Sequence, residues 1–339
     1  MDDQATTAAD QRRSAVAAAA AGVPAPAGLV ALLAAAEHAA AGGRPWTVAT
    51  WDAALNLDGV LTGLWRPGMA EAVADARWGT AWAHLVRDLG LNPATRRSHI
   101  GFMGCHGGLI GLRQAAAIAT ADPDAVVLLV AVELCTLHLR PARDADAIRG
   151  AALFADGAAA ALIASRVPDG CAPLLQLDRF RTLVIPDGEQ AMAWTIGDSG
   201  FEMILGAAVP QVLEDNIHAA LEALLEGPEG AVDRASITDW ALHPGGRGIL
   251  DKLEHTLDLA PEALRESRDV LATRGNMSSV TVLHVLRQVI DEAPPGEDRT
   301  VCALAFGPGL TVESALFTIP ARPAAPAAHA HSATAVPTP

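Results

Sequence analysis

The stretch Ala125 to Leu134, reading Ala-Val-Val-Leu-Leu-Val-Ala-Val-Glu-Leu, limits the possible folds more than any other part of the chain. Aliphatic side chains at successive positions leave a strand with no polar face, so both of its faces need cover from other elements. The run is also far shorter than the ~20 apolar residues of a membrane-spanning helix, and Glu133 stops it. A buried strand in a covered sheet is therefore expected. Gly157 to Ser165 reads as a second strand of the same kind, and Gly107 to Thr120, rich in Gly, Ala and Leu, as a helix buried on all sides. Further along, strands are expected at Ile237 to Leu242, Val301 to Phe306 and Thr311 to Thr318, and helices at Arg247 to Leu257, Pro261 to Thr273 and Ser279 to Ile290. Such alternation defines an α/β chain.

Of the 339 residues, 51% are hydrophobic, enough for a sizeable core. The formal charge of -15 argues against nucleic acid or an anionic membrane surface as partner. Lys252 is the single lysine and tyrosine is absent, so cationic chemistry falls to arginine. The four cysteines, Cys105, Cys135, Cys171 and Cys302, are scattered without CxxC pairing. Reduced thiols in a cytoplasmic protein are expected, with no metal site and no disulfide framework. The acidic Asp2, Asp3 and Asp10 precede Arg12 and Arg13, the wrong order for a secretory leader.

Three segments carry groups suited to chemistry. Cys105 lies in Phe-Met-Gly-Cys-His-Gly-Gly, between a strand expected at Ser98 to Met103 and the buried helix. A helix N-terminus favours a thiolate and flanking glycines let an acyl group approach closely, although a lone cysteine is more often a small buried hydrophobe. His106, one position along, is read as structural. His243 ends a strand in Trp-Ala-Leu-His-Pro-Gly-Gly, where a neutral imidazole can take a thiol proton or sit satisfied in the core. Asn276, in Gly-Asn-Met-Ser-Ser ahead of a helix, suits either an N-cap or an amide donor aimed at an oxyanion. Gly307-Pro308-Gly309 between two strands reads as a turn.

Taken together, the order and context of these segments resemble the type III polyketide synthases, the chalcone and stilbene synthase family. Val132-Glu133-Leu134-Cys135, Ala152-Leu153-Phe154-Ala155-Asp156-Gly157 and Gly200-Phe201-Glu202-Met203 add to the resemblance, which runs from about Leu85 to Phe317. It implies a thiolase-like fold, two pseudo-symmetric βαβ-rich halves in an α-β-α-β-α layering, and a homodimer. The expected division is an Ala-rich segment at 1–45, a half carrying the cysteine at 46–165, a half carrying His243 and Asn276 at 166–319, and a Pro/Ala tail at 320–339. Cys105, His243 and Asn276 would be catalytic. Cys105 would accept an acyl group from a starter acyl-CoA, while His243 and Asn276 hold malonyl-CoA as it loses carbon dioxide. Coenzyme A thioesters are then substrates, and no cofactor is implied.

By the same resemblance Phe154 and Met203 stand at gatekeeper positions. Cys135 and His138 line the cavity, and Ser278, Gly307, Pro308 and Gly309 border it. Arg247, following the His-Pro-Gly-Gly turn, is a candidate phosphate contact. The stretch before Cys105 departs from the family, because the expected Thr-Gly strand end and the basic segment that grips coenzyme A are not found there. Three other readings stay open: the ketosynthase that initiates fatty-acid synthesis on a carrier protein, a papain-like hydrolase, and an inactive paralogue acting as dimer partner.

Overall fold

The computed structural model describes residue 86 and residues 89–135, 152–167, 172–186, 188–197, 200–227 and 230–322. The Ala-rich segment 1–45, the tryptophan-rich stretch 46–83, His138, Cys171 and tail residues 323–339 lie outside the described residues. Helix α1 (Gly107–Ala121) leads into strand β1 (Val126–Leu134), which pairs antiparallel with β2 (Asp156–Ala164) in unbroken register from Val126↔Ala164 to Leu134↔Asp156. After β3 (Gln176–Val184) comes a hairpin of β4 (Met192–Gly197) and β5 (Gly200–Leu205), then helix α2 (Val209–Leu225). A minimal ladder joins β6 (Glu226–Gly227) to β7 (Gly230–Ala231). The chain continues through β8 (Ile237–Leu242), α3 (Arg247–Thr256), α4 (Arg265–Arg274), α5 (Thr281–Glu292), β9 (Arg299–Gly307) and β10 (Thr311–Ile319).

The main sheet has the order β3-β10-β9-β8, with β8 parallel to β9 and the other pairs antiparallel. Its two faces are divided by the period-2 alternation of the strands. On β9, Val301, Ala303 and Ala305 face one apolar cluster while Cys302, Leu304 and Phe306 face the other. The first cluster holds α1 and α5 between the main sheet and the β1–β2 pair, and the second packs α2 and α3 on the opposite face. Small residues predominate on the inner side, Ala303, Ala305 and Ala315 from the main sheet and Ala159 and Ala161 from β2, so a layer of helices fits between two sheets.

Helix α5 shows the consequence in its sequence. Val282, Leu283, Val285, Leu286, Val289 and Ile290 are all buried, a wider apolar arc than a one-sided helix needs. By contrast, α2 buries one face, Val209, Leu213, Ile217, Ala220, Leu221, Leu224 and Leu225, and turns Gln211, Asp215, His218 and Glu222 outward. Among the described residues the layers run sheet, helix, sheet, helix. Each half sends one helix into the shared inner layer, and a short 3-10 turn opens each, Gly104–His106 before α1 and Ser278–Val280 before α5.

The strand expected at Ser98 to Met103 is not formed. Phe102 and Gly104 both take positive φ, 60° and 62°, so the backbone coils before Cys105 instead of extending into a ladder. The helix expected from Pro261 begins at Arg265, because residues 261–264 form turns.

Candidate active site

Cys105 occupies the middle of the Gly104–His106 turn, facing the turn that carries Ser278. The β9–β10 connection fixes the loop from behind. A Cβ on Gly104 would stand 2.7 Å from Cδ of Pro308, and one on Gly307 would stand 2.6 Å from the His106 imidazole. Only glycine fits either place, and at Gly104 the positive φ asks for glycine as well. Gly307 and Pro308 thus brace the loop that carries Cys105, and the Gly309 amide, at φ 98°, donates to the Met192 carbonyl at 2.9 Å.

Asn276 is buried and tied by its main chain to the other half of the molecule. Its amide donates to Leu153 O at 2.9 Å, its carbonyl accepts from Ala155 N at 2.9 Å, and Asn276 and Phe154 form a parallel bridge. On the side chain, Oδ1 accepts from Ser278 N at 2.9 Å and from Thr281 Oγ1 at 3.3 Å, and lies 4.0 Å from Cys105 Sγ. A main-chain N–H donates only to oxygen, so the Ser278 contact settles which end of the amide is which. Nδ2 is left as the donating end.

His243 follows β8, anchored by its amide to Leu304 O at 2.7 Å, and is buried. Neither of its ring nitrogens has a hydrogen-bond partner among the described residues. Burial, with His106 nearby, holds its pKa down at about 3, and burial likewise takes His106 to about 4. Both imidazoles are neutral at physiological pH.

The Cys105 thiol departs from the expectation of a helix-stabilised thiolate. Burial pushes it up to about 12. The Glu133 carboxylate adds to the rise, while hydrogen bonds with Ser278 and Asn276 oppose it. Burial thus favours the neutral form of both the Cys105 thiol and the His243 imidazole.

Other expected residues take varied places. Ser278 is buried beside Cys105, at φ 51°. Cys135, just beyond β1, is half-buried and its thiol is also raised to about 12, by burial first and then by Glu133 and Cys105. Phe154 is half-buried on the Asn276 bridge, Met203 is exposed on β5 opposite Trp194, and Arg247 is the exposed first residue of α3. Sequence reasoning assigned no role to Glu133, Ser279 or Thr281. Ser279 donates to Glu133 Oε1 from both its hydroxyl and its amide, the latter at 3.3 Å. A carboxylate at the end of an otherwise apolar strand was the available signal for Glu133.

Comparison with known proteins identifies the family. Residues 74–167 match the chalcone and stilbene synthase N-terminal domain, and residues 176–320 the C-terminal domain. Type III polyketide synthase 10 of Oryza sativa subsp. japonica is 35% identical over 256 residues, covering 72% of this chain and 63% of the rice protein. Type III polyketide synthase C of Arabidopsis thaliana is 37% identical over 241 residues, 69% of this chain and 62% of that one. The crystal structure of 1,3,6,8-tetrahydroxynaphthalene synthase from Streptomyces coelicolor A3(2) aligns with a TM-score of 0.65 and 32% identity, covering 72% of this chain and 68% of that chain. The fold is of the thiolase type, mixed α/β in its sheets. The chain belongs to the type III polyketide synthase family, and it spans less than two thirds of the length of these curated plant relatives.

Proposed function

We propose that the protein is an acyltransferase that condenses malonyl-CoA onto a starter acyl-CoA. One observation carries the reading: the Asn276 side chain lies against Cys105, its Oδ1 accepting from Ser278 N, from Thr281 Oγ1 and, at 4.0 Å, from the Cys105 thiol, so that Nδ2 is the end of the amide that can donate to a substrate oxygen. With starter bound, His243 takes the Cys105 proton and the sulfur attacks the thioester carbonyl. Coenzyme A departs as the thiol with that proton, leaving acyl-Cys105. Malonyl-CoA then loses carbon dioxide, and the electron pair of the broken C–C bond passes to an enolate. Its oxygen accepts hydrogen bonds from Asn276 Nδ2 and from one N–H of neutral His243. The enolate carbon attacks acyl-Cys105, the thiolate leaves, and the chain is longer by two carbons. Repeated rounds and cyclisation give a pyrone, resorcinol or related product.

Phe154 and Met203 govern the starter in this reading. Met203 is flexible and stands where an aromatic would be rigid, which favours an alkyl chain over a planar aromatic one. Each buried methylene contributes about 0.8 kcal/mol, so turnover should rise along a fatty acyl-CoA series. Cys135, Ser278 and the turn at Gly307, Pro308 and Gly309 shape the cavity wall, and Arg247 contacts a coenzyme A phosphate. The working unit is a homodimer in the cytoplasm, each chain comprising the halves 46–165 and 166–319. Among the described residues no helix is long and apolar enough to cross a membrane.

The test is mass spectrometry of products and of intact protein after incubation with malonyl-CoA and acyl-CoA starters, with malonyl-carrier protein in parallel. An acyl adduct absent from Cys105→Ala, together with condensed products from malonyl-CoA, is expected. Products from the carrier protein alone would favour a fatty-acid ketosynthase. Preference for aromatic starters would remove the alkyl assignment.

A further inference from the structure

Thr281, the first residue of α5, is fully buried, yet it carries a hydroxyl where its neighbours in that layer are aliphatic. Its hydroxyl donates to Asn276 Oδ1 at 3.3 Å, on the same oxygen that accepts the Ser278 amide at 2.9 Å and, at 4.0 Å, the Cys105 thiol. A buried hydroxyl is costly unless it is bonded, and a valine of the same shape would fill the space without that cost. We propose that Thr281 is a positioning residue for decarboxylation, fixing the plane of the Asn276 amide so that Nδ2 stays aimed at the enolate oxygen. The assignment rests on the functional reading above, in which Asn276 is an oxyanion donor.

The torsion about the Asn Cβ–Cγ bond is soft, so contacts rather than intrinsic preference set the amide plane. A single hydrogen bond to Oδ1 holds the oxygen but leaves the plane free to rock about it. The Cys105 thiol contact is long, and an acylated sulfur has no proton to donate, so Thr281 is the second donor that removes that freedom. The main chain of Asn276 is already locked by the Leu153 and Ala155 bonds, so the side-chain torsion is the remaining variable. Small displacements of a donor matter because transition-state stabilisation depends steeply on its placement.

The experiment compares Thr281→Val and Thr281→Ser with the unmodified chain, measuring carbon dioxide release from malonyl-CoA and acylation of Cys105 by a starter. Thr281→Val should lower kcat for decarboxylation about three- to tenfold, the worth of one neutral hydrogen bond. KM and the rate of acylation should stay unchanged, and Thr281→Ser should remain within about twofold of the unmodified chain. In an Asn276→Ala background, Thr281→Val should cost nothing further; if the valine variant does not fold, Thr281→Ala takes its place in both backgrounds. Unchanged decarboxylation in Thr281→Val, equal loss of acylation, or a persistent effect without Asn276 would overturn the inference while the functional reading stands. Failure of the unmodified chain to decarboxylate malonyl-CoA would overturn both.

Discussion

At the scale of single residues, charge and burial around Cys105 pull in opposite directions from the usual picture of an activated thiol. Glu133 raises the thiol, so Glu133→Gln should lower its pKa and make Cys105 alkylate faster at any fixed pH below the inflection. Iodoacetamide kinetics across a pH series would measure this, and an inflection that moved upward would contradict the electrostatic assignment. Asn276→Ala should reduce malonyl-CoA decarboxylation by at least about a hundredfold, as expected for one oxyanion donor worth roughly 3 kcal/mol, and leave Cys105 acylation nearly intact. Stopped-flow or mass-spectrometric separation of the two steps would reveal parallel losses if the amide served both. Cys105, His243 and Asn276 stood out as candidates because each sits in a short glycine-flanked motif, and the structure brings Cys105 and Asn276 together. Thr281 did not: a threonine at a helix start looks like any capping residue until its partner is known.

At the scale of elements, the later strands and helices were legible from their periodicity, and α1, β1, β2, β8, β9 and β10 fall within a few residues of expectation. The region from β3 to α2 was not assigned. β3 mixes Asp178, Arg179 and Arg181 among its apolar residues, and β4 and β5 are short hairpin strands, so neither gives a clean pattern. The arginine that obscures β3 has a structural use. Arg179 is buried and donates to the carbonyls of Leu224 and Leu225, each at 2.9 Å, and of Gly230 at 2.7 Å, placing a cation at the C-terminal end of α2. Arg179→Met should therefore destabilise the fold by about 2–4 kcal/mol, since it strands carbonyls that end the helix. Urea denaturation would test it; a loss below about 0.5 kcal/mol, the range of ordinary surface substitutions, would show the carbonyls finding other donors.

For the molecule as a whole, the alternation of strands and helices pointed to the layering, but β1 is only partly buried, with Val132 exposed, and α1 exposes Gln114, Ile118 and Thr120, so neither is covered on all sides as expected; the coil before Cys105 was not legible, because positive φ at Phe102 leaves no trace in composition. Among the described residues the interior also keeps one carboxylate. Glu313 on β10 is buried, bonded to Thr182 at 2.6 Å and to Arg113 at 3.4 Å, and its Oε2 has no partner among the described residues. Burial raises its pKa, with Thr182 and Arg113 opposing. Its folded pKa thus lies above the unfolded value of 4.5, so between the two the native state binds more protons and stability falls as pH rises. Relative to Glu313→Gln, the unmodified chain should lose melting temperature as pH climbs from about 4 into the neutral range. A widening advantage for the unmodified chain would mean that the Arg113 pairing outweighs burial.

The bridge between Phe154 and Asn276 has a consequence for how such a protein can change over time. The residues on either side of the one expected to sort starters, Leu153 and Ala155, are hydrogen-bonded through their main chains to the residue expected to stabilise the enolate. A substitution at 154 that shifts its main chain moves the oxyanion donor with it, so a new substrate range arrives together with an altered rate. Diversification through this position is confined to side chains that leave the ladder undisturbed, while β5, remote in sequence from that bridge, is freer to vary.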